Sequence, residues 1–225
     1  VHLSTDEKFL ACACAEDVSI LDVASGQVQN KIVSGEDDGF SAFAVHPKDN
    51  EIVTAGRSLL LKKWNLENLG KESAAWKGHD QPVRSLFVTA QILDLCFDAT
   101  GTYLASSSVD KTVRVRVTAS AVIRLGHASM VSRVFFHPKR LEVVSCGEDG
   151  ELRIWNLIDG DAVVSVRSWR CVGSNHILSN HMSAVTSVCF SRDGNTMFSC
   201  GRDQVISVWN LQTFALLKTR PIHEV

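Results

Sequence analysis

The chain has 225 residues, 45% of them hydrophobic, which is enough for a buried core in one large all-β domain or two small ones. Its 23 Lys and Arg nearly balance 25 Asp and Glu, for a net charge of −2, and no basic cluster stands out, which disfavours a dedicated nucleic-acid reader. No apolar stretch approaches the roughly 20 residues of a membrane span, no signal-peptide pattern is present at the start, and an initial valine is what a fragment of a longer chain would show.

Five apolar runs end at the same point of a repeated unit, and self-similarity at a fixed period names an architecture before any residue names a chemistry. The first unit is the most degenerate; it keeps ILDV, with Leu21 at the marker position, inside the ending LDVASGQV. The second runs over residues 41–67 and ends in KWNL, with Trp64 as marker and Ser58 where later units carry a hairpin aspartate. The third opens on Gly78-His79, keeps Ser106 and Asp110, and ends in VRVRV, with Arg116 where tryptophan is expected. The fourth opens on Gly126-His127 and continues through VSRVFFHP and LEVVSCGEDGELRIWNL to Trp155. Its Asp149-Gly150 pair is a tight-hairpin signal, because glycine accepts positive φ and aspartate bonds back to the turn. DGDAVVSV, residues 159–166, closes the unit as a fourth antiparallel strand. The fifth opens on His181 and ends at Trp209.

The markers step by 43, 52, 39 and 54 residues. A period near forty with short strands inside each unit predicts an all-β propeller of about five four-stranded antiparallel blades, not a helical solenoid. Two further spacings agree between the last two units. His127 to Trp155 and His181 to Trp209 are both 28 residues, and Asp149 and Asp203 each precede their tryptophan by six. Serine, histidine and aspartate at fixed spacing suggest a hydrolase. A nucleophilic site occurs once, however, whereas this set recurs with each unit, and no GxSxG elbow is present. The sets are read as structural, each histidine bonding the aspartate that shapes a hairpin.

Two intervals are too long. His79 to Arg116 is 37 residues, with the excess assigned to residues 87–95, and residues 167–180 exceed an ordinary connection between blades. Apolar inserts are not typical binding loops, so both are expected to be irregularities of sequence assembly or splicing. All seven cysteines fall outside any CxxC pair: Cys12, Cys14, Cys96, Cys146, Cys189 and Cys200 sit in apolar runs and Cys171 in an irregular segment, which predicts buried reduced thiols in an intracellular compartment. His46-Pro47 and His137-Pro138 end strands before turns, while His2, His176 and His223 follow no pattern. Arg57, Lys62, Lys63 and Arg202, near hairpin and strand ends, are the candidate partner-binding rim. No carboxylate pair, phosphate loop or metal-ligand cluster is found.

The Gly-His openings and tryptophan endings resemble the WD-repeat (WD40) family across nearly the whole of residues 1–225. The resemblance implies hydrogen-bonded structural tetrads: His127, Ser145, Asp149 and Trp155; His181, Ser199, Asp203 and Trp209; and a partial set, His79, Ser106 and Asp110, in a third blade less well pinned without its indole. It also implies part of one propeller, in a family whose rings are mostly seven-bladed. LDVASGQV, residues 41–67 and residues 181–224 more closely resemble WD-repeat subunits of the small-subunit processome. That implies a non-catalytic nucleolar scaffold in 18S pre-ribosomal RNA processing. Its partners would be other WD-repeat subunits of a large ribonucleoprotein assembly, with indirect association to the U3 small nucleolar RNA particle and pre-ribosomal RNA. No cofactor, membrane or small-molecule substrate is expected. The competing class is a WD-repeat adaptor for signalling or ubiquitin-ligase substrate recognition, which needs a basic or aromatic ring at one mouth.

Overall fold

Each unit alternates apolar and polar residues over strands of about six, so one strand cannot bury its apolar side alone and four must pair into a sheet that packs against the next. A computed structural model describes residues 1–4, 7–14, 17–34, 38–67, 71–79, 91–117, 121–157 and 176–222. They form five four-stranded antiparallel meanders. Sheet one holds β1 (His2–Leu3), β2 (Phe9–Cys14), β3 (Asp17–Asp22) and β4 (Val28–Val33). Sheet two holds β5 (Ala42–Val45), β6 (Glu51–Ala55), β7 (Leu60–Asn65) and β8 (Lys71–Lys77). Sheet three holds β9 (Ile92–Phe97), β10 (Tyr103–Ser108), β11 (Thr112–Val117) and β12 (Ala121–Gly126). Sheet four holds β13 (Val131–Phe136), β14 (Glu142–Gly147), β15 (Glu151–Asn156) and β16 (His176–Ser179). Sheet five holds β17 (Val185–Phe190), β18 (Thr196–Gly201), β19 (Val205–Asn210) and β20 (Ala215–Pro221).

The core lies between sheets. One apolar cluster joins sheets one and two through Ile20, Ile32, Ile52 and Trp64. A second joins sheets two and three through Leu59, Leu61, Ile92 and Leu104. A third joins sheets three and four through Val115, Leu125, Val134 and Trp155. The fourth joins sheets four and five through Leu152, Leu178, Val188 and Trp209. Among the described residues no apolar cluster links sheet five to sheet one. All five sheets contribute to a central cavity of about 640 Å³, lined by residues such as Ala13, Ala44, Leu95, Val134 and Ser187.

Three expectations are corrected. Residues 92–95 are not an insert: ILDLCF is a complete inner strand, with Ile92 and Leu95 buried by the same alternation as in other blades. Residues 87–90 lie outside the described residues. The fourth strand of sheet four is His176–Ser179, which pairs Leu178 with Leu152. It occupies the place assigned to residues 159–166, which lie outside the described residues, as do 167–175. One buried apolar side chain, Leu178, suffices to seat so short a strand on β15. A third correction concerns Cys189, which is exposed because β17 heads a sheet with no neighbour on that side; Cys146 is buried, and Cys12, Cys96 and Cys200 are half-buried.

The β10–β11, β14–β15 and β18–β19 hairpins place their second turn residue in the left-handed region: Lys111 at φ 66°, Gly150 at 77° and Gln204 at 61°. Leu59, before β7, does the same at 60°. Of these four positions, only that of sheet four carries glycine.

Candidate functional site

In sheet five the polar set closes completely. His181 Nε2 bonds the Ser199 hydroxyl at 2.8 Å, and the Trp209 indole N–H donates to the same hydroxyl at 2.9 Å. His181 Nδ1 reaches Asp203 Oδ2 at 2.9 Å, and Asp203 also accepts the Met182 N–H at 3.0 Å and the Val205 N–H at 3.3 Å. Burial pushes the Asp203 carboxyl up, but these hydrogen bonds outweigh it and hold the group below the ordinary carboxylate range.

Sheet four is open at one link. His127 Nε2 meets Ser145 at 2.7 Å and Trp155 donates to Ser145 at 2.8 Å. His127 Nδ1 and Asp149 Oδ2 are both buried without a partner. Asp149 instead accepts the Glu151 N–H at 3.2 Å. Burial, with the Arg153 charge second, lowers the His127 pKa to about 4.

Sheet three keeps the acid and loses the indole. His79 bonds Asp110 at 2.9 Å and Ser106 at 2.8 Å. Ser106 turns its hydroxyl to the Arg114 carbonyl at 3.3 Å. Arg116 donates through Nη2 to the Lys77 and Gly78 carbonyls, just before His79. The blade is therefore pinned from the guanidinium to the chain entering it, a bond the expectation of a loose blade lacked. Burial, then the Arg114 charge, lowers the pKa of Arg116.

Sheet two carries a set that the sequence reading missed. Trp64 donates to Thr54 Oγ1 at 2.7 Å. Its carboxylate comes from the opposite side, where Asp38 in the entering loop accepts the Ser58 N–H at 2.7 Å and the Ser58 hydroxyl at 3.0 Å. Ser58 stands where an aspartate was sought, so the acid and hydroxyl have exchanged sides of one contact. No fixed-spacing search centred on the hairpin finds that exchange.

The proposed rim residues do not form one surface. Lys62 Nζ is 2.6 Å from Asp38, and Lys63, on the other face of β7, is 2.5 Å from Glu51. Arg57 and Arg202 are exposed at equivalent hairpins of sheets two and five, and Arg202 approaches Glu148 at 3.5 Å. Two of the four cations are thus already neutralised within their own blade.

His46 and His137 do more than end strands. The N–H groups of Asp49 and Arg140 each donate to the histidine Nδ1 at 2.9 Å, which fixes the hydrogen on Nε2. Nε2–H then donates to the carbonyl of a turn glycine in the next blade: Gly101 at 3.1 Å and Gly194 at 2.7 Å. Both glycines have positive φ, 79° and 77°, and a Cβ at either would collide with the ring. Of the unpatterned histidines, His176 stacks on Phe214 at 3.5 Å between centroids, His2 lies in β1, and His223 is outside the described residues.

Among the described residues no group of three His, Cys, Asp or Glu side chains is placed to hold a metal ion. No described helix is long and apolar enough to cross a membrane. Ser106, Ser145 and Ser199 are at most 2% exposed, so the repeated hydroxyls face protein.

The WD domain, G-beta repeat model matches residues 70–116, 120–156 and 170–210. The chain is 34% identical to transducin beta-like protein 3 of Bos taurus along its whole length, covering 26% of that protein. It is 30% identical to the periodic tryptophan protein 2 homolog of Schizosaccharomyces pombe over 80% of the chain and 21% of that protein. It is 26% identical to the U3 small nucleolar RNA-associated protein 15 homolog of Xenopus laevis over 94% of the chain and 38% of that protein. The chain spans about a quarter of the length of the first of these relatives.

Proposed function

Because the chain belongs to the WD40 repeat family, we propose that it is a non-catalytic scaffold in ribosome biogenesis, supporting small-subunit processome assembly and 18S pre-ribosomal RNA processing in the nucleolus. The observation that carries the reading is similarity along the whole chain to transducin beta-like protein 3, alongside a relative whose own name ties it to U3 small nucleolar RNA. Geometry supports the non-catalytic part. Each candidate serine is buried against histidine, and in sheets four and five against an indole as well, which suits a fastener and denies a substrate access. The polar sets, on this reading, hold the hairpins at fixed angles so that the loops between strands present a rigid surface.

Partners are other WD-repeat subunits, with RNA contact indirect; the near-balanced charge favours protein docking over phosphate binding. On this reading, the sides of sheets one and five that no described cluster covers are met by further blades in the intact ring. Affinity purification from nucleolar extract tests the reading: pre-ribosomal factors and U3 particle proteins are expected to co-purify. Recovery of cullin or G-protein subunits instead overturns it in favour of the adaptor class.

A further inference from the structure

Between sheets two and three lies a cavity of about 420 Å³ at the level where the last two blades seat an indole. Register explains the position. Trp155 pairs with Val143 and Trp209 with Met197, while Arg116 pairs with Leu104 on the same rung of sheet three. Trp155 fills its level by packing into the cluster shared with the preceding sheet. A guanidinium is smaller than an indole, and here it turns to the Lys77 and Gly78 carbonyls, so the space stays open.

The apolar walls are Val53 and Trp76 from sheet two and Phe97 and Leu104 from sheet three. Four charged groups also line it: Arg116, Lys63, Glu51 and Asp49. Lys63 is committed to Glu51 at 2.5 Å. Arg116, only 7% exposed, has no carboxylate partner among the described residues; its Nε–H is buried without an acceptor, and no hydrogen bond is made by Nη1. A buried cation without a counter-ion is costly, and a vacant apolar slot beside it gives room for the missing anion.

We propose that this cavity binds a carboxylate carried beside an aromatic or aliphatic group, as a partner peptide presents with an acidic side chain or a free C-terminus next to an apolar residue. With Nη2 held by the two carbonyls, Nη1 is the end of the guanidinium left to donate a charge-assisted N–H to a carboxylate. One uncompensated cation suits one negative charge. Lys63 and Glu51 neutralise each other, and Asp49 offsets Arg116 on the same lining, so no net positive charge is left to hold the polyanionic backbone of nucleic acid. The site does not depend on which assembly the chain joins, so it stands or falls separately from the scaffold reading.

Calorimetric titration of the chain tests it with four probes: N-acetyl-Phe-Glu-amide, with a side-chain carboxylate; N-acetyl-Ala-Phe free acid, with a terminal one; N-acetyl-Phe-Gln-amide, with none; and a 12-nucleotide RNA. At least one acid probe is expected to bind with a Kd below about 1 mM, and which one identifies the source of the carboxylate. The glutamine probe should bind at least about tenfold more weakly, and Arg116→Met should weaken the acid probe by a similar factor, as loss of one charge-assisted hydrogen bond requires. Arg116→Trp should abolish binding and raise the thermal midpoint by refilling the space. Should a variant fail to fold, the Arg116 Nε–H resonance of the unsubstituted chain must still move when the acid probe is added. Absence of acid-probe binding, equal binding of the glutamine probe, unchanged binding by Arg116→Met, a stationary Nε–H resonance, or RNA that competes with the acid probe would each overturn the proposal.

Discussion

Asp203→Ala and Asp149→Ala remove the same atoms from equivalent hairpins, yet the structure predicts different costs. Asp203 holds the Nδ1–H of His181, a ring with a fully buried side chain, and two backbone N–H groups that are partly or fully in solvent. Truncation strands the buried His181 donor, at about 1–3 kcal/mol, and loses two turn bonds worth about 0.5–1 kcal/mol each. The sum is about 2–4 kcal/mol once solvent replaces part of the backbone bonding. Asp149 accepts one N–H and already carries a buried oxygen with no partner. Its removal costs one turn bond and relieves that desolvated oxygen, so about 0–1 kcal/mol is expected. At about 2–4 °C per kcal/mol for a chain of this size, Asp203→Ala should lower the thermal midpoint by several degrees more than Asp149→Ala. Urea midpoints at constant m separate stability from changes in the unfolded state. Double-mutant cycles add a sharper test: coupling near 1–2 kcal/mol for His181 with Asp203, and near zero for His127 with Asp149. Equal costs, or coupling larger in sheet four, would refute the argument that the two blades differ in this bond.

Acid titration should expose the buried rings. His127 is held near a pKa of about 4 in the folded chain against 6.5 for a free histidine, so the unfolded chain binds the extra proton first. Stability is fully present above pH 6.5 and falls towards pH 4, by about 3 kcal/mol in total at about 1.4 kcal/mol per unit; His127→Gln should flatten that part of a urea-midpoint profile. His137→Ala should cost about 1–3 kcal/mol by leaving the Gly194 carbonyl and two turn N–H groups unpaired, and a denaturation midpoint unchanged by the substitution would count against the tie between blades. Gln204→Gly should stabilise by up to about 1 kcal/mol in thermal melts by relieving φ 61°, whereas Gly150→Ala should destabilise, since its Cβ would meet the His181 carbonyl. Maleimide labelling followed by peptide mapping should find Cys189 modified in the folded chain and Cys146 only on unfolding, because Cys146 is fully buried and burial pushes its thiol up to about 12.

The five-unit all-β architecture could be read from the sequence because its signals are local. A hairpin of fixed length sets six residues between Asp203 and Trp209, and the strand before it sets 28 from His181. What escaped the reading depends on contacts between elements. Asp38 and Ser58 are 20 residues apart and reverse the usual roles, so neither stands at the position searched. His46 and His137 look like strand ends until the next blade brings Gly101 and Gly194 against them, 55 and 57 residues later. Residues 92–95 were mistaken for an insert because counting from His79 locates an excess only to within a strand, and burial of Ile92 and Leu95 decides which side of the excess belongs to the blade. His176–Ser179 was passed over because four residues with one buried leucine carry too little periodicity to compete with the longer run at 159–166.

Four blades solve the hairpin problem with four different polar arrangements, while the sheets themselves keep the same four-strand meander. That variation is tolerable only if the apolar clusters between sheets supply most of the folding free energy and the polar sets mainly fix turn geometry. The burial of Ile52, Leu61, Val115, Val143 and Leu152, each fully buried between neighbouring sheets, fits that division. A blade freed from its indole can then take a new side chain at the same rung without losing its fold. Arg116 is that case: the strand pairing around it is continuous from Thr112 to Val117, and the change appears as an unpaired charge and a cavity rather than as a broken sheet. In a repeat scaffold of this kind the position where one unit departs from its sisters, with its pairing intact, is where a property the sister units lack can be placed.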